Sequence, residues 1–68
     1  MHYKYFMKEK IRHLIAIRIL KKAEIKLAIS NLAVSEKLTE EKQNQLLDEL
    51  SLLDEEIEIL TRVLKESK

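Results

Sequence analysis

Neither glycine nor proline occurs anywhere in this 68-residue chain. A chain that reverses repeatedly usually draws on both, glycine for positive φ and proline for a fixed φ. Their absence argues against hairpin-rich β architecture and against loops that cradle phosphate, and leaves long helices joined by few turns. Composition agrees, with 37% of residues charged and 46% hydrophobic, in the range of long amphipathic helices. At a net charge of +1 the mixture is too apolar and too nearly neutral for a disordered chain.

The second half gives the clearest periodicity. Leu46, Leu50, Leu53, Ile57, Leu60 and Leu64 step by four and three, the seam of a coiled coil. Thr39 offers a hydroxyl to the first-turn amides, and Glu40 and Glu41 sit where the helix dipole favours carboxylates. These signals predict a first helix over about residues 3–34, a turn over about 35–38 and a second helix over about 39–66. The expected fold is therefore all-α, an antiparallel, coiled-coil-like hairpin occupying residues 1–68 as one unit. Charge divides along the same line. Residues 1–35 carry eight Lys and Arg against two acids, and residues 36–68 carry five against ten. A basic helix and an acidic helix attract one another.

Folding the chain about residues 36 and 37 sets residue i opposite about 73 − i. The second-helix seam then faces His13, Ala16, Leu20, Ala23 and Leu27, which also step by three and four. On that reading the hairpin closes through an Ala/Leu face whose layers interlock. A second stripe, Ile11, Leu14, Ile15, Ile25, Ile29 and Leu32, then lies outside, interrupted by Arg18 and Lys22. Leu52, Ile59 and Val63 form a smaller one on the second helix. These nine residues are the expected partner-binding set. The alternative is a helix phase that makes the isoleucine stripe the internal core.

So short a chain buries only about 60% of its unfolded surface and is marginal alone. With no cysteine, disulfides and thiolate metal sites are excluded, so oligomerisation or a partner must complete the fold. In isolation the stripe is expected to self-associate into a four-helix bundle, with Arg18 and Lys22 meeting acids such as Glu55 or Glu58 of the other chain. No segment approaches the ~20 uncharged apolar residues of a membrane span. Met1 to Phe6 lacks the core of a signal peptide, so the cytoplasm is the expected location.

No catalytic constellation emerges. His2 and His13 lack the carboxylate spacing of a bundle metal site, and Glu9 with His13 reads better as a surface contact, so no metal or cofactor is expected. Asp54, Glu55, Glu56 and Glu58 read as a solvated acidic face, with no oriented acid–base pair beside them. The segment from Leu47 to Ile57 has the heptad pattern of helical chorismate mutases. It places Asp48 where those enzymes need arginine, which sets that reading aside. The stronger rival to protein binding is a small plasmid- or phage-type RNA- or DNA-binding bundle. Lys4, Lys8 and Arg12 form one row, and Arg18, Lys22 and Lys26 another, to meet phosphates. Against it stand the near-zero net charge and the acidic second helix.

The second helix carries a family resemblance. Lys42-Gln43-Asn44-Gln45-Leu46-Leu47-Asp48-Glu49, followed by Leu53-Asp54-Glu55-Glu56-Ile57-Glu58-Ile59-Leu60, resembles the second helix of the small co-chaperones of the type III secretion needle subunit. The likeness spans about residues 23–64. It departs at Asn44, where relatives often carry an aromatic, and in a turn without Gly or Pro. It implies an antiparallel hairpin that binds a larger helical-repeat chaperone and helps hold the needle subunit soluble in the bacterial cytoplasm.

Overall fold

The computed structural model describes the backbone of residues 3–66 and the side chains of residues 7–66. Helix α1 runs over Tyr3–Val34 and helix α2 over Glu40–Glu66. They pack against each other as an all-α hairpin measuring 54 × 15 × 11 Å. A 32-residue helix is about 48 Å long, so α1 sets the length of the whole molecule.

The turn is built by local hydrogen bonding. Ser35 caps α1, its hydroxyl lying within hydrogen-bond distance of the Asn31 and Leu32 carbonyls at 3.0 and 3.2 Å. The Lys37 amide donates to the Leu32 carbonyl at 2.9 Å, and the Glu36 amide to that of Ala33 at 3.2 Å. This is the paired bonding of a Schellman motif, which needs a left-handed residue just past the cap. Glu36 takes that role with φ 60°. A residue with a Cβ is strained by about 1–2 kcal/mol there. Set against glycine's greater loss of backbone freedom, Glu36→Gly should raise hairpin stability by about 0.5–1 kcal/mol, read in a urea titration. A destabilised variant would show that the Glu36 side chain contributes more than its backbone costs.

At the far side of the turn, the Lys42 amide donates to the Thr39 hydroxyl at 3.1 Å and the Gln43 amide to the Thr39 carbonyl at 2.9 Å. Thr39 is thus the cap expected from the sequence, with Glu40 the first residue of α2.

The expected face of α1 is corrected. Ile11 and Ile25 are the most buried side chains, at 9% and 5% exposure. Leu14, Ile15, Ile29 and Leu32 are half-buried beside them. They meet the seam expected of α2, where Leu46, Leu50, Leu53, Ile57, Leu60 and Leu64 are all half-buried. The isoleucine stripe is the internal core, not an outward surface. Ala16, Leu20, Ala23 and Leu27, expected inside, are exposed. The physical reason is area. Each large aliphatic side chain removed from water contributes about 1.5–3 kcal/mol, and six of them outweigh two leucines and two alanines.

Arg18 and Lys22, which interrupt the stripe, are accommodated within the hairpin. Arg18 Nε lies 3.5 Å from Glu56 Oε1, and Lys22 Nζ pairs with Asp54. Glu56 and Asp54 flank the α2 seam on opposite sides, so the two cations leave the seam in opposite directions. Their partners are acids of their own chain, not Glu55 or Glu58 of another. Together the pairs place residue i across from about 75 − i.

Candidate protein-docking surfaces

With α1 turned this way, its outward edge carries a second heptad line. His13, Leu20, Leu27 and Val34 recur every seventh residue, half-way round the helix from the seam. Ala16 and Ala23 flank the line. Leu20 is 67% exposed, Leu27 62% and Val34 85%. A helix that is apolar on opposite sides is normally buried on both. In this hairpin α2 covers only one. The periodicity alone sets these residues in the core and His13 at the seam edge opposite Leu60. His13 is exposed on this outward line instead.

The outward edge of α2 is different in kind. Glu41, Asp48, Glu55 and Arg62 follow the same seven-residue spacing, and all are exposed. That edge is a solvated, mostly acidic face. Arg62 is held there by Glu58 at 3.2 Å. The two outward edges thus differ, apolar on α1 and mostly acidic on α2.

A third surface lies along one broad side of the hairpin. Two shallow grooves run between the helices there, one lined by Lys21, Ile25, Glu49, Leu52 and Leu53, the other by Arg18, Glu56, Ile59 and Leu60. Leu52, Ile59 and Val63, named from the sequence as a partner-binding stripe, are exposed on this side. Of that expected set these three remain accessible, and the six residues of α1 are in the seam.

The basic rows of the nucleic-acid reading do not form one exposed strip. Arg18 and Lys22 are half-buried and paired across the hairpin, and Lys8 is half-buried. Arg12 is exposed but held by Glu9 at 2.6 Å. Lys26 is exposed, and the Lys4 side chain lies outside the described residues. Glu9 is engaged with Arg12 and not with His13. Among the described residues no three of His, Cys, Asp and Glu converge into a group that would hold a metal ion. None of the described helices is long and apolar enough to cross a membrane.

Comparison with known proteins found no matching family model, no matching curated protein and no matching solved structure.

Proposed function

We propose that this hairpin is a non-catalytic protein-binding adaptor whose docking element is the outward edge of α1. The observation that carries the reading is the uncovered line of Leu20, Leu27 and Val34, flanked by Ala16 and Ala23. Alternating small and large residues at heptad spacing suit the close approach of another helix, with leucines entering its grooves. The occupant best matched to this line is an amphipathic helix with leucine-type anchors.

The resemblance of α2 to needle-subunit co-chaperones suggests the setting. In it, α1 docks on a helical-repeat chaperone while α2 keeps the acidic face in solvent, within the bacterial cytoplasm. A hairpin that contributes one helix to a larger helical protein gains the cover its own size denies it.

Affinity capture from the native cells, followed by identification and titration of the retained protein, tests this. The wild type should retain a helical protein, and Leu20→Lys with Leu27→Lys should lose it. Two buried aliphatic anchors at about 2 kcal/mol each correspond to roughly a thousandfold loss in affinity. Because both positions are exposed, the hairpin itself should keep its stability within about 0.5 kcal/mol. Retained nucleic acid released steeply by salt, and lost on replacing the exposed Lys10 and Lys26 by Glu, would replace this reading with the phosphate-binding one.

A further inference from the structure

The broad side of the hairpin carries an inference separate from the docking edge. Met7 and Leu14 precede Lys21 by two heptads and one, which puts all three on the side where Lys21 and Leu52 line a groove. Ile17 projects from the same side, four residues before Lys21. On α2 that side holds Glu49, Leu52, Glu56, Ile59 and Val63. Met7, Ile17, Leu52, Ile59 and Val63 are all exposed. Most of this apolar surface lies toward the open end of the hairpin, away from the turn.

We infer that this side is the face on which a second copy of the chain docks, with α1 of each copy over α2 of the other and both turns at the same end. Three observations select that occupant and that orientation. The first is area. A compact folded chain of 8.1 kDa exposes about 4,500 Å². The hairpin exposes 5745 Å², a surplus of roughly 1,200 Å² against the ~800 Å² each partner contributes to a standard interface. The second is position. Rotation about an axis along the helices keeps residues at their own height, so Leu14 and Ile17 of one copy meet Ile59 and Val63 of the other. Rotation about an axis across the helices would set that open-end cluster against the polar turn end, near Asn31. The third is charge. Lining α1 over α2 puts Lys21 of one copy beside Glu56 of the other, and Lys10 beside Glu66. The crosswise arrangement would lay basic α1 on basic α1. Every neighbouring pair of helices in the chosen arrangement is antiparallel, as in an up-down four-helix bundle.

The outward edge of α1 stays free in this dimer, so the two surfaces are tested independently. Sedimentation of the purified chain over a wide concentration range should give a reversible dimer. Spin labels on a Lys37→Cys variant should then lie within about 25 Å of each other across the dimer, since neighbouring helix axes are 8–10 Å apart. In the crosswise dimer the labels would be separated by about the hairpin's length, 54 Å. Ile59→Lys should raise the dimer dissociation constant roughly 30-fold, as loss of an interfacial anchor does. Its helicity should hold, because Ile59 is exposed in the hairpin. Ile17→Lys provides the same test from α1. Leu20→Lys should leave the dimer unchanged. A chain that stays monomeric throughout, labels far apart, or a dimer lost on Leu20→Lys but kept on Ile59→Lys would each overturn the inference.

Discussion

Ile25→Ala should cost about 2–5 kcal/mol, a large share of the stability a chain this short can have. Ile25 is the most buried side chain of the described residues at 5% exposure, and it lies mid-seam. A chain of this size commands only about 3–10 kcal/mol in total. Leu20→Ala removes a similar volume from the opposite side of the same helix, and should change stability by no more than about 0.5 kcal/mol. Urea unfolding followed by circular dichroism, at one fixed protein concentration, measures both. The contrast is the useful quantity, because both changes alter helix propensity in the same direction. If Leu20→Ala proved the costlier, α1 would face α2 through its Ala/Leu side and the outward line would not exist.

That contrast is also where sequence reasoning went astray. The two helices, the turn, the Thr39 cap and the α2 seam were all legible, because each rests on a local signal: heptad spacing, a capping hydroxyl, first-turn carboxylates. The phase of α1 was not. Its aliphatic residues occupy two opposite lines, Ile11 to Leu32 and Leu20 to Val34, so periodicity alone offers two seams of equal spacing. The choice then rested on register. Reversal about residues 36 and 37 assumes partners at about 73 − i, whereas the ion pairs place them near 75 − i. Two residues on a helix are about 200° of rotation, so that small slip exchanges the inside for the outside. The longer turn has a definite origin in the Schellman bonding through Glu36 and Lys37, which carries the chain past the assumed pivot.

The sequence does hold a signal that resolves the phase. Taken alone, Arg18 and Lys22 are flaws that keep the isoleucine stripe out of the core. An antiparallel acidic helix turns them into markers, since Asp54 and Glu56 stand at the height to receive them. The candidate site followed the phase. Once the isoleucines are inside, the apolar residues left exposed include the Ala/Leu line itself, together with Leu52, Ile59 and Val63.

Replacing both cations, Arg18→Leu with Lys22→Leu, should stabilise the hairpin by about 1–3 kcal/mol and raise its melting temperature by roughly 5–20 °C. The two side chains keep only 27% and 24% of their surface in solvent, so each has given up much of its hydration. The return is incomplete. Arg18 Nε is buried without a hydrogen-bond partner, because the contact to Glu56 at 3.5 Å is an ion pair by distance and not a hydrogen bond by geometry. Leucine at both places would continue the aliphatic seam from Ile11 to Leu32 without a break. The gain should come with a loss of definition. A polar residue at a seam position specifies register and partner at a cost in stability, and an unbroken isoleucine/leucine line pairs with copies of itself as readily as with α2. Sedimentation of the double variant should therefore resolve more than one assembled species where the wild type gives a single reversible equilibrium. A variant that is more stable and still forms one species would mean the cations are tolerated and specify nothing. One that is less stable would mean the pairs with Glu56 and Asp54 hold the hairpin together outright.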